Sequence, residues 1–190
     1  MIYTKNIQKA ILFSIQTHEL DQKQKRKGKD IPYISHPLTV GLILARAQAS
    51  EDVIIAGILH DTIEDSTESK RVTRKIIEDN FGKNVAELVL SVTEENKNLS
   101  WKERKAEALA HIENFSNDSI LLKSADLISN VSEIIDDHNK DGDKIFTRFS
   151  SSKEATIKVY QDAIEAIIQK WENSPLNEDI NLILQKIKII

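Results

Sequence analysis

Turn-forming residues are scarce in this chain: 5 glycines and 3 prolines among 190 residues, about a third of their usual share. A β-sandwich or barrel needs a turn roughly every 8–12 residues, and so few turn-makers cannot supply them. Ala, Leu, Ile, Lys and Glu are abundant instead, and these residues tolerate or favour helix. Apolar residues also recur at helical spacing through most of the sequence. The expected fold class is therefore all-α.

The breaks in that periodicity place the helices. The first is expected over about 4–19, with Ile7, Ala10, Ile11 and Ser14 on one face. A lysine-rich polar segment follows, from Asp21 to Asp30. The second helix begins at His36-Pro37, because proline suits the first helical position and pushes the residue before it out of helical geometry. That helix is expected to cover 37–48, and further helices are expected at 51–63, 70–80, 83–93, 101–114, 118–137 and 152–172, with Phe81-Gly82 as a stop between two of them. Asn173-Ser174-Pro175 sets off a last helix, 176–188. One domain is expected over residues 1–172, with 173–190 as a linker and a C-terminal helix that serves as a packing arm or an oligomer contact.

Composition narrows the classes of function. There is no cysteine, which removes disulfides, thiolate metal sites and cysteine nucleophiles. The net charge is −4, unlike that of a dedicated nucleic-acid binder. No apolar run approaches the roughly 18 residues of a membrane span, and the N-terminus lacks the pattern of a signal peptide. A soluble cytoplasmic protein is expected, with no membrane and no nucleic acid polymer as partner. P-loop, dinucleotide-glycine and GxSxG patterns are also missing.

The most informative stretch joins Val53-Ile54-Ile55-Ala56-Gly57-Ile58-Leu59 to His60-Asp61-Thr62-Ile63-Glu64-Asp65. The first seven residues are apolar on every side, the pattern of a helix buried all round. Four ionisable groups then arrive in six positions. On a continuous helix His60 pairs with Glu64 and Asp61 with Asp65, within an arc of about 140°. Three carboxylates near a helix C-terminus oppose the macrodipole, where Lys or Arg would be preferred. A bound cation resolves that conflict and compensates buried carboxylates. His36 is weak evidence alone and gains value beside His60 and Asp61. Imidazole and carboxylate donors without thiolate suit Mn²⁺, Fe²⁺ or Zn²⁺.

Two further groups depend on context. Asp126 shares a helix face with Lys123, Asn130 and Glu133, opposite the main apolar stripe, where a solvated face is the plain reading. Lys23, Lys25, Arg26, Lys27 and Lys29 form a basic run that is ordinarily a solvated loop. Beside a metal site the same run would attract a polyphosphate, and Arg148 and Lys153 are candidates to extend it.

Taken together, Arg26-Lys27-Gly28, Pro32-Tyr33-Ile34-Ser35-His36-Pro37, Leu59-His60-Asp61-Thr62-Ile63-Glu64-Asp65, Phe81-Gly82 and Lys123-Ser124-Ala125-Asp126 with Asn130 resemble the HD-type hydrolase domain of the RelA/SpoT family. A hydrolase domain without a synthetase is the arrangement of the small alarmone hydrolases, the group of the metazoan SpoT homologue. The resemblance covers about residues 4–172. It implies an HD-domain helical bundle around one metal site, one Mn²⁺ per chain, with His36, His60, Asp61 and Asp126 as ligands. It assigns Glu64 and Asp65 to catalysis, Asn130 to substrate, and Arg26 and Lys27 to the base and phosphates. The implied reaction removes pyrophosphate from the ribose 3′ position of guanosine tetra- or pentaphosphate, a small nucleotide substrate. Departures from the family pattern are Leu127 where a basic residue is usual, Ser129 where a His is usual, and extra residues between His18 and Pro32. They spare the metal set and bear on base recognition. The competing readings are a phosphohydrolase for another nucleotide such as NADPH, and a catalytically silent nucleotide-binding module.

Overall fold

The computed structural model describes residues 3–94, 96 and 98–190, and helices dominate it. Among the described residues there is no strand, only an isolated antiparallel bridge between Lys25 and Pro32. The chain divides into two compact units, Met1–Glu95 and Asn96–Ile190.

The first unit is built around its most apolar segment. Helix α1 (Lys5–Ile15) starts where the Thr4 hydroxyl accepts from the Ile7 N–H, and it buries Ile7, Ala10 and Ser14. It runs into a π-helical turn, Gln16–Asp21. Helix α2 is Ser35–Arg46, and α3 is Glu51–Leu59, capped by Ser50. All seven residues from Val53 to Leu59 are buried, as the apolar run requires. Helix α3 packs against α1, α2 and α6 (Lys83–Val92). Each fully buried branched side chain there contributes on the order of 1.5–3 kcal/mol. Gly41 of α2 permits the close approach of α3, since a Cβ at that position would stand 2.7 Å from Ile58 Cγ1.

Several of the expected helices change shape. The segment 51–63 is not continuous: α3 ends at Leu59, and a separate short helix, α4, covers Thr62–Asp65. The chain turns at Asp61, whose φ of −93° and ψ of −6° fall in the bridge region between helix and strand. The Thr62 hydroxyl holds the turn by donating to the Leu59 carbonyl at 2.7 Å. Helix α5 is Arg74–Phe81, beginning later than the expected residue 70 because Glu68–Lys70 forms a 3-10 turn and Thr73 supplies the cap. The stop at Gly82 is present, with φ at 92°.

The second unit begins with α7 (Trp101–His111), opened by a reciprocal pair of bonds between Ser100 and Glu103. Helix α8 (Asn117–Asp141) runs unbroken for 25 residues from its Ser116 cap. A 3-10 segment, Gly142–Arg148, leads to α9 (Lys153–Lys170). The final helix, α10 (Asn177–Ile187), buries Ile180, Ile183, Leu184 and Ile187 and packs on α8 and α9.

Candidate metal and catalytic site

In the first unit three segments bring donors together around Asp61. His60 Nε2 lies 3.1 Å from Asp61 Oδ2, and His36 Nε2 lies 3.7 Å from the same oxygen. Both imidazoles are buried, with ring centroids 5.1 Å apart. His60 Nδ1 is 2.8 Å from the Gly57 carbonyl, which only accepts, so Nδ1 carries the proton and Nε2 presents its lone pair. Tyr33 donates its hydroxyl hydrogen to Asp61 Oδ2. Burial, followed by the charge on Asp61, pushes the Tyr33 phenol up, so it remains a donor. Two imidazole nitrogens and a carboxylate oxygen, one imidazole fixed by a backbone carbonyl, fit a divalent cation of intermediate softness.

Glu64 sits one turn beyond His60, across the break. Its Oε2 accepts from the Glu94 N–H at 3.2 Å. Burial first, and then the neighbouring charge on Asp61, raise its carboxyl to about 6. That value suits proton transfer near neutral pH. Asp65 is held through its backbone, with its N–H donating to the Asp61 carbonyl at 2.9 Å. Its Oδ2 accepts from Gln24 Nε2 at 2.7 Å.

The basic run is an ordered loop rather than a loose tail. The Arg26 N–H donates to the Ile31 carbonyl, and the Lys29 N–H donates to the Arg26 carbonyl. Gly28 turns the chain with φ at 72°. Arg26 lies over the Tyr33 ring, 5.4 Å from its centroid, which ties the basic loop to the residue that holds Asp61. Lys25 is engaged by Asp30.

In the second unit Asp126 does not lie on a solvated face: its residue is 7% exposed. Lys123 Nζ contacts Oδ2 at 2.7 Å, and Asn130 Nδ2 donates to Oδ1 at 2.6 Å. Periodicity missed this because the N-terminal half of α8 is buried on more than one face, from Ser119 to Leu127. Leu127 and Ser129 are buried as well. Arg148 pairs with Asp137 at 2.6 Å and stacks over Phe149, while Lys153 pairs with Asp143 at 2.6 Å. These carboxylates already occupy the two cations that had been candidates for phosphates.

A residue that spacing did not single out is His18. It is fully buried beside Tyr33 and bonded to Gln24. Gln24 lies six positions further along the chain, an interval that does not bring two residues onto one face of a helix.

Comparison with known proteins adds the lineage. Residues 10–149 match the family described as HD domain. The chain is 37% identical over 132 residues to a guanosine-3′,5′-bis(diphosphate) 3′-pyrophosphohydrolase of Aquifex aeolicus, covering 68% of this chain and 18% of that protein. It is 34% identical over 130 residues to the guanosine-3′,5′-bis(diphosphate) 3′-pyrophosphohydrolase MESH1 of Xenopus tropicalis, covering 67% of this chain and 69% of that one. Thus it spans less than a fifth of the first relative and about two thirds of the second. Among solved structures, the metazoan SpoT ortholog described as hydrolysing ppGpp superposes with a TM-score of 0.79 at 20% identity, covering 100% of this chain and 99% of that one. The lmo0812 protein of Listeria monocytogenes superposes with a TM-score of 0.72 at 31% identity, covering 81% and 97%.

Proposed function

The chain belongs to the HD-domain family, and from that premise we propose that it is a metal-dependent 3′-pyrophosphohydrolase of guanosine tetra- and pentaphosphate. The observation that carries this reading is the convergence of His60 and His36 on one oxygen of Asp61, with Glu64 raised to about 6 one turn away. The relatives that bear this activity in their names support the choice of substrate.

In this reading His36, His60 and Asp61 hold one Mn²⁺, and Asp126, presented by Lys123 and Asn130, completes the set. When bound, a divalent ion lowers the pKa of a coordinated water and supplies hydroxide near neutral pH. Glu64 orients the attacking water and accepts its proton, with Asp65 on the adjoining residue. The water oxygen adds to the phosphorus next to the ribose 3′ oxygen. The bond from that phosphorus to the 3′ oxygen breaks, the 3′ oxygen takes up a proton, and pyrophosphate leaves GDP or GTP behind. Arg26 and Lys27 offer positive charge to the phosphates, and Lys123 and Asn130 offer donors from α8. Arg148 and Lys153 contribute only by exchanging their present carboxylate partners for phosphate. The reading sets the catalytic region over residues 1–172, with α10 as a packing arm, in the cytoplasm.

One observation favours a second substrate. Leu127 and Ser129 replace the usual basic residue and His, which loosens guanine recognition and admits another nucleotide with a ribose phosphate, such as NADPH.

The test is release of pyrophosphate from ppGpp by the purified protein with Mn²⁺, with and without EDTA, beside Asp61→Ala. Release that requires metal and the wild-type aspartate supports the proposal. No release with metal demonstrably bound would remove this substrate and turn the assay to NADPH.

A further inference from the structure

Asp65 is tied to a partly buried hydrogen-bond series that runs back to the π-helical turn after α1. Gln24 Nε2 donates to Asp65 Oδ2 at 2.7 Å, and Gln24 Oε1 lies 2.8 Å from His18 Nδ1. Chemistry fixes the direction at both ends. An ionised carboxylate only accepts, so the amide nitrogen is the Gln24 atom that faces it. The amide oxygen is left for His18 and also only accepts, so His18 Nδ1 carries a proton.

The other ring nitrogen completes the assignment. His18 is 0% exposed, and its Nε2 has no hydrogen-bond partner among the described residues. A second proton there would bury both a charge and an unanswered N–H. Burial accordingly holds the His18 imidazole below its ordinary pKa, against the opposing pull of Gln24, Asp61 and Asp65. Neutral imidazole with its proton on Nδ1 is the state that answers every one of these constraints.

The backbone is shaped for this series. The π-helical turn Gln16–Asp21 carries His18, and Lys23 follows in the left-handed region with φ at 52°. π-turns of this kind occur often at functional sites. Together they fold the chain back so that the Gln24 N–H donates to the His18 carbonyl at 2.8 Å. The Gln24 carbonyl then accepts from the Tyr33 N–H at 2.9 Å. Gln24 is therefore pinned at its backbone on both sides and at both ends of its side chain.

We propose that His18 and Gln24 are positioning residues that set the plane of the Asp65 carboxylate for the reaction, an inference that rests on the reading of Asp65 as a catalytic residue. Holding Oδ2 fixes the direction in which the second oxygen points. His18 in turn prevents the Gln24 amide from flipping, since a flip would set oxygen against carboxylate and N–H against N–H.

The experiment combines kinetics with the protonation state of His18. Gln24→Leu removes the donor at similar size, and is expected to lower kcat about tenfold while KM stays within about twofold. His18→Asn places an amide N–H near the Nδ1 position and is expected to retain most of kcat, whereas His18→Phe is expected to match Gln24→Leu. Unchanged kcat in Gln24→Leu, or equal losses in His18→Asn and His18→Phe, would overturn the proposal. Independently of substrate, long-range ¹⁵N–¹H spectra of the wild-type protein loaded with Zn²⁺ are expected to give His18 as the neutral Nδ1–H tautomer. An Nε2–H tautomer or an imidazolium at pH 7 would also overturn it. If the wild type fails to release pyrophosphate from ppGpp, the functional reading falls, and the spectrum still decides the His18–Gln24 assignment.

Discussion

Asp61 and Asp126 are both aspartates held by neighbours on each side, but the two units achieve this differently. Asp61 stands at a break between α3 and α4, and two of its partners come from remote stretches, Tyr33 from the turn after the basic loop and His36 from α2, while His60 immediately precedes it. Asp126 stands inside an unbroken helix, and the partners described for its two oxygens are three residues before it and four after it in the same helix. The first carboxylate depends on the packing of several segments, while the second is oriented by helix geometry. Damage to the loop should therefore disturb Asp61 and leave Asp126 in place.

The largest expected effect comes from removing either carboxylate. Asp61→Asn and Asp126→Asn are each expected to lower turnover of ppGpp by more than about 10³-fold, in the range that separates metal-assisted from unassisted chemistry. A surviving Asp126→Asn enzyme would break the parity between them. Next is Glu64→Gln, expected to cost about 10²–10³-fold in kcat with metal content unchanged. Negligible activity in both wild type and variant would favour a silent binding module.

The supports should then separate the two arrangements. Tyr33→Phe deletes the hydroxyl donor to Asp61 and is expected to weaken metal affinity about 10–100-fold. Asn130→Ala leaves Lys123 on the other oxygen of Asp126, so less than about tenfold is expected there. Competition with a fluorescent chelator measures both, and the reverse order would overturn the contrast.

The smallest effect is on stability. Burial and Asp61 raise the folded-state pKa of Glu64 from 4.5 to about 6. A raised pKa favours the fold while the carboxyl is protonated, and that contribution is lost as pH climbs through 6. Urea unfolding of the metal-free protein should therefore reveal about 1–2 kcal/mol more loss between pH 4.5 and 7 in the wild type than in Glu64→Gln. Equal slopes would show that Glu64 is not buried among like charges.

Much of the fold was legible because helices report themselves one-dimensionally. The apolar run from Val53 to Leu59 required a helix buried all round, and α3 is that helix. Phe81-Gly82 marked a stop, which φ of 92° at Gly82 realises. The His60 to Asp65 cluster was visible as charge against the helix dipole. The break inside it was not, because HDTIED contains neither Gly nor Pro. The turn there rests on the Thr62 hydroxyl and the Asp61 backbone. Burial of Asp126 was hidden because periodicity tells which residues share a face, not what covers that face. His18 and Gln24 were hidden for another reason: a π-turn and a left-handed lysine bring them together, and neither leaves a repeating pattern.

Metal content, measured on purified wild type, Asp61→Asn and Asp126→Asn after loading with Mn²⁺ and desalting, tests most directly whether Asp61 and Asp126 both belong to the proposed ligand set. One ion per chain in the wild type, lost in each variant, is the expected result. Full occupancy retained in Asp126→Asn would contradict it and confine the metal site to His36, His60 and Asp61.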